Sequence, residues 1–185
     1  MKIYTRRGDE GETDLFAGGR VAKDAPRVEA TGAVDELNAW LGVCAAATAH
    51  ADLRGLLQHV QALLFELGGT LASPDARRRE KAGVPEPQLS DVEEIEKRID
   101  ALEAELPPLE RFILPGGTPA AAALHAARCV CRRAERRAVA LHRAEPLGGA
   151  ALRLLNRLSD LLFVMARVEN RRAGVTDIEW RGRER

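Results

Sequence analysis

Apolar residues recur every three or four positions along most of this chain, in stretches too long for strands and bounded by proline and glycine. Val34, Leu37, Leu41 and Cys44 mark a first helix from about Arg27 to Ala49. Leu53, Leu56, Val60, Leu63, Leu64 and Leu67 make the broad stripe of a second, from about Asp52 to Leu71. Val92, Ile95, Ile99 and Leu102 set a third, opened by a Ser90–Glu93 capping box and ended by Pro107 and Pro108. Thr118-Pro119 supplies an N-cap and a first-turn proline for a fourth helix reaching about Glu145. A fifth runs from about Ala150 to Ala173 and stops at Gly174. Aromatics are only 4% of the 185 residues and β-branched residues are sparse, which leaves no material for a large sheet. The expectation is an all-α five-helix bundle forming one domain: residues 1–26 as an N-terminal loop, 27–173 as the bundle and 174–185 as a C-terminal tail. Residues 73–89, with three prolines and the run Arg77, Arg78, Arg79, read as a long exposed connection.

The first 26 residues carry Gly8, Gly11, Gly18 and Gly19 and no apolar period, which leaves an ordered loop and a tail equally open. They contain no apolar core of a secretory signal, and no stretch approaches the roughly 18 uncharged apolar residues of a membrane span. Cys44, Cys129 and Cys131 are an odd set expected to be buried thiols in a reducing cytoplasm. Lys plus Arg equal Asp plus Glu at 28 each, which argues against a nucleic-acid polymer as partner. Neutrality says nothing against a single nucleotide.

Two polar stripes interrupt the apolar pattern. Arg128, Arg132 and Glu135 share one face of the fourth helix, with Arg136 beside them. Asn156, Asp160, Phe163 and Arg167 form a stripe on the fifth. A solvated face with pairs such as Arg132–Glu135 is the plain reading. Asn156 among leucines and the alanine-rich fourth helix weigh against it, and arginines grouped with one carboxylate suit a polyphosphate and its metal. No GxxxxGK[ST] loop occurs, no Glu stands three residues before any of the four histidines, and no Ser-His-Asp set is legible. The histidines therefore read as surface or core residues. The segment FILPGGT, Phe112 to Thr118, puts a large aromatic on a loop before the fourth helix. Phe112 either plugs the bundle end or presents a wedge to a flat ligand.

Taken together, YTRRGDEGET (Tyr4 to Thr13), VDELNAWLG (Val34 to Gly42), FILPGGT, RCVCRRAERR (Arg128 to Arg137) and LNRLSDLLFVMAR (Leu155 to Arg167) resemble the PduO-type ATP:cob(I)alamin adenosyltransferases. The resemblance implies a five-helix bundle with an ordered N-terminal nucleotide-binding loop, assembled as a cytoplasmic homotrimer with active sites between subunits. It implies transfer of the 5′-deoxyadenosyl group of ATP to the cobalt of cob(I)alamin, with Mg²⁺ accompanying ATP and triphosphate released. A protein that only binds or delivers cobalamin and ATP is the alternative. By the same resemblance Thr5, Arg6, Arg7, Gly8, Thr13 and Lys23 wrap the nucleotide, and Arg132, Glu135, Arg136 and Asn156 contact it from the bundle. Asp35 and Arg128 resemble a pair joining neighbouring subunits, Phe112 the aromatic at the lower face of the corrin, and Phe163 an addition to that apolar wall. A flavoprotein reductase and an adenosylcobalamin-dependent enzyme are candidate partners, with no nucleic acid and no membrane. The chain departs from the family pattern at Glu10, where Lys is common, at Arg6-Arg7, and at Thr31 before Gly32.

Overall fold

The computed structural model describes residues 3–4, 6–16 and 18–182. A short antiparallel hairpin opens the chain, β1 (Glu12–Asp14) paired with β2 (Arg20–Ala22) and Thr13 opposite Val21. Residues 12–14 and 20–22 are thus ordered by backbone pairing, with Lys23 N donating to Gly11 O at 2.8 Å. Six helices follow: α1 (Pro26–Ala47), α2 (Ala51–Leu71), α3 (Ala76–Lys81), α4 (Leu89–Glu103), α5 (Pro119–Ala144) and α6 (Gly149–Arg172). Five of them are the long helices read from the apolar spacing. The sixth, α3, lies inside the segment expected to be a plain connection. Its cause is local: Asp75 caps it by accepting from Arg77 N at 2.9 Å and Arg78 N at 3.1 Å.

Packing runs in one series, α2 on α1, α1 on α5, α5 on α6 and α6 on α4, around a continuous core. Leu37, Leu41, Leu64, Leu67, Leu124, Leu141, Leu154 and Leu155 are among its fully buried side chains. Small residues at Ala121, Ala127, Ala134 and Ala138 let α5 sit close between α1 and α6. Thr118 caps α5 as expected, its hydroxyl accepting from Ala121 N at 3.0 Å. The capping box of α4 is not Ser90–Glu93. Gln88 is the cap and Asp91 accepts from its backbone N–H at 2.6 Å, because α4 begins at Leu89 and takes Ser90 inside it.

Two further expectations are corrected. Cys44 and Cys131 are buried, and burial pushes both thiols up to about 12, but Cys129 is exposed. Arg167 does not continue the open stripe of α6. It is buried, and its guanidinium donates to Asp177 Oδ2 at 3.1 Å and to Pro107 O at 3.0 Å. The segment after α6, read as a tail, runs back along the loop before α5, where Ile113 and Glu179 form an antiparallel bridge. Among the described residues no helix is long and apolar enough to cross a membrane.

Candidate functional site on the α5–α6 face

The stripe on α5 and the stripe on α6 meet. Arg128, Arg132, Ser159, Asp160, Phe163 and Val164 line a cleft of about 270 Å³ whose far wall is Ile99 and Glu103 of α4. A smaller cavity of about 170 Å³ shares Arg128 and Phe163 and is closed by Leu109, Phe112, Ile113, Pro115 and His125. One turn further along α5, Asn156 Nδ2 donates to Glu135 Oε1 at 3.1 Å. Glu135 is therefore held by α6 and not by Arg132. Arg132 and Arg136 are exposed and, among the described residues, meet no carboxylate. Arg128 is half-buried, with Nε shut away from solvent and unpartnered. The face therefore offers fixed positive charge next to an aromatic wall, which suits an anionic group attached to a flat ring system.

Phe112 does not plug the bundle end. The residue is 79% exposed at the mouth of the smaller cavity.

His125, expected as a surface or core residue, is a core residue that also lines the smaller cavity. It sits three residues before Arg128 on the same face of α5 and is buried, its ring 6.0 Å from that of Phe163 and tilted by 60°. Neither ring nitrogen has a hydrogen-bond partner. Burial, helped by the charge of Arg128, holds this imidazole below the ordinary histidine range, against an opposing pull from Asp177. Its i, i+3, i+7 relation to Arg128 and Arg132 was a legible signal.

The N-terminal residues gather elsewhere. Thr13, Phe16, Thr31, Gly32 and Asp35, with Leu64 and Phe65 of α2, line a largely apolar cleft of about 500 Å³. Arg7 pairs with Asp14 at 3.0 Å, and Arg20 with Glu12 at 2.7 Å, so the hairpin's cations are partly spent on its own acids. Arg6 takes a left-handed backbone conformation, φ 60°, and stacks its guanidinium 5.6 Å from the Tyr4 ring centroid. Lys23 crosses the turn at Gly8, where an added Cβ would stand 3.1 Å from its ammonium. Thr5 lies outside the described residues. Within one chain, then, Phe112, Arg128, Arg132 and Phe163 come together with Glu135 and Asn156 nearby. Asp35, Thr13 and the hairpin line a different cleft, and Asp35 does not meet Arg128. Among the described residues no group of three or more His, Cys, Asp or Glu is arranged to hold a metal.

Residues 3–169 match the family model described as cobalamin adenosyltransferase. The chain is 46% identical over 184 residues to a corrinoid adenosyltransferase of Bacillus subtilis, a match spanning 97% of this chain and 92% of that one. Its backbone superposes with a TM-score of 0.91 on a variant PduO-type ATP:corrinoid adenosyltransferase from Lactobacillus reuteri complexed with cobalamin and ATP. That match has 38% identity and covers 98% of this chain and 100% of the other. A second variant from the same organism, complexed with ATP, gives a TM-score of 0.88 at 39% identity, over 97% of this chain and 100% of that one.

Proposed function

The chain belongs to the cobalamin adenosyltransferase family, and on that premise we propose that the α5–α6 face is where it transfers the 5′-deoxyadenosyl group of ATP to cob(I)alamin. The observation that carries the reading is the juxtaposition of Arg128 and Arg132, which make no ion pair among the described residues, with the exposed Phe112 and the half-buried Phe163.

Cob(I)alamin brings its own nucleophile, so no side chain has to supply one. The cobalt electron pair attacks C5′, the Co–C bond forms as the C5′–O bond breaks, and the triphosphate leaves with the electrons of that bond. The protein's share is to hold C5′ in line with cobalt and to stabilise the charge that builds on the departing triphosphate. Arg132 and Arg136 are placed for that charge, and Glu135, fixed by Asn156, orients the nucleotide. Phe112 and Phe163 form an apolar wall under the corrin. A ring in the lower axial position excludes water and the lower ligand, and a four-coordinate Co(II) is easier to reduce because it lacks a donor that favours the oxidised metal.

Mg²⁺ fits this donor set when it arrives with the nucleotide, since Mg²⁺ typically takes most of its ligands from phosphate and water and one or two from carboxylates. When bound it would neutralise phosphate charge alongside the arginines, and Glu135 beside the cleft or Asp160 within it would supply the carboxylate.

We read the active protein as a homotrimer whose sites lie between copies. Support comes from two unmet groups among the described residues of one chain: Asp35 is exposed and makes no ion pair there, and the buried Nε of Arg128 lacks an acceptor. The exposed Phe65 and Phe16, at 74% and 67%, line the same cleft as Asp35 and suit burial against a neighbour. In this assembly the N-terminal segment with Arg6, Arg7, Gly8, Thr13 and Lys23 closes over a nucleotide held by the next copy's Arg132. A low-potential electron donor such as a flavoprotein reductase must supply cob(I)alamin, and an adenosylcobalamin-dependent enzyme must consume the product. A reducing cytoplasm suits its three free thiols.

Anaerobic incubation of the protein with cob(I)alamin, ATP and Mg²⁺ tests the reaction. Adenosylcobalamin and triphosphate should appear in equal amounts. Binding of both ligands without triphosphate release would reduce the protein to a carrier.

A further inference from the structure

Phe112 projects from the loop before α5 into solvent, so packing within its own chain does not fix the ring. Its position must come from the backbone that carries it. That backbone is held from one side by the segment after α6: Trp180 N donates to Phe112 O at 2.8 Å and Leu114 N donates to Ile178 O at 2.8 Å, flanking the Ile113–Glu179 bridge. It is held at its base by one side chain. Asn170, 2% exposed on the last turn of α6, accepts from Thr118 N at 3.0 Å through Oδ1. Through Nδ2 it donates to Gly116 O at 3.1 Å and to Asp177 Oδ1 at 3.0 Å.

The same residue therefore ties the loop and the returning segment together. Asp177 is anchored in turn by Arg167 at 3.1 Å, whose guanidinium also reaches Pro107 O where the loop begins. Gly117 completes the lock: at φ +104° it lies so close that a Cβ would overlap the Asn170 carboxamide. A single buried amide with its oxygen and nitrogen both occupied fixes geometry more than it adds stability, because each partner accepts only one orientation.

We propose that Asn170 is a positioning residue for the reaction and that residues 175–180 form a strap which sets the height of Phe112 against the lower face of the corrin. This rests on the assignment of Phe112 made above. Loosening the strap leaves the helices, Arg132 and the nucleotide contacts in place but lets the aromatic ring drop away from cobalt. The effect then falls on formation of four-coordinate Co(II) and on kcat, and not on the KM for ATP.

The test uses the full-length protein with cob(II)alamin and saturating Mg-ATP, reading the four-coordinate Co(II) signal by electron paramagnetic resonance. ATP affinity is measured in parallel by calorimetry. In Asn170→Ala, which loses three hydrogen bonds, the signal should fall at least about tenfold, with ATP affinity within about twofold of wild type. If that variant does not fold, the exposed Trp180 decides the matter: Trp180→Pro removes the N–H that holds Phe112 O, and Trp180→Ala keeps it. Trp180→Pro should fall roughly fivefold below Trp180→Ala. Equal signals from that pair, or a wild-type signal from a folded Asn170→Ala, overturn the inference. Two controls bear on the assignment beneath it: no four-coordinate signal in the wild type, or an undiminished one in Phe112→Ala, overturns the role of Phe112 itself.

Discussion

Arg172 and Arg132 lie on neighbouring helices and differ in what meets their charge. Arg172, near the end of α6, donates to Asp52 at 2.8 Å and to Glu105 at 2.7 Å, drawing α2 and the end of α4 onto α6. The hydrogen bond from Arg172 holds the Glu105 carboxyl below the usual carboxylate range. Arg167, further in, is buried with Asp177 as its counter-charge. Arg132 and Arg136 face outward and make no ion pair among the described residues, and Arg128 keeps a buried Nε without an acceptor there. Arginine content alone does not separate these groups. Paired arginines close the bundle, and those without an ion pair are the ones proposed to meet the charge of the nucleotide.

Substituting both kinds tests that difference. Arg132→Ala should lower kcat by at least about a hundredfold, the scale of a lost donor to developing charge, with an unchanged melting temperature. A fall in melting temperature of several degrees would make Arg132 a structural residue and erase the distinction. Arg172→Ala should do the reverse. Its half-exposed pairs are worth roughly 1 kcal/mol, so the melting temperature should drop by about 2–4 °C while turnover per folded molecule holds. Lost turnover at full stability would move Arg172 into the reacting machinery.

A smaller effect separates buried from exposed groups within the site face. His125 is held neutral, so the unfolded chain takes up its proton at a higher pH than the folded one. Stability should rise with pH between the depressed folded value and about 6.5, then level off, and be lost as the pH falls through that window. His125→Gln should flatten this slope in denaturant titrations at pH 5.5 and 7.5; an unchanged slope would assign it to other groups. The smallest effect concerns thiols. Under native conditions a disulfide reagent should label Cys129 rapidly, and Cys44 and Cys131 only after unfolding. Fast labelling of all three would contradict the tight packing of α5 between α1 and α6.

Much of the fold and of the site face is legible in the sequence. The helical spacing of leucines and alanines set five long helices, Thr118-Pro119 fixed the start of α5, and the spacing of Arg128, Arg132 and Glu135 put them on one face. The rest depended on partners distant in sequence. Nothing near Phe112 announces that Trp180 will hold its carbonyl, or near Gly117 that Asn170 will pack against it, so the returning segment read as a tail. His125 read as an isolated histidine because burial and the neighbouring Phe163 come from α6. Cap choice at α4 failed for a local reason: Gln88 and Asp91 compete with Ser90 and Glu93 in the same turn, and the position of Leu89 decides between them.

In the proposed trimer a complete site takes its arginines from one copy and its nucleotide loop from another. Mixing two inactive variants, Lys23→Ala in the hairpin and Arg132→Ala on α5, refolded together in equal amounts, tests it most directly. Random assembly should restore about a quarter of wild-type adenosylcobalamin formation, since that share of sites pairs an intact hairpin with an intact arginine from a neighbour. Activity no greater than the sum of the two parents would place the whole site within one chain and contradict the account.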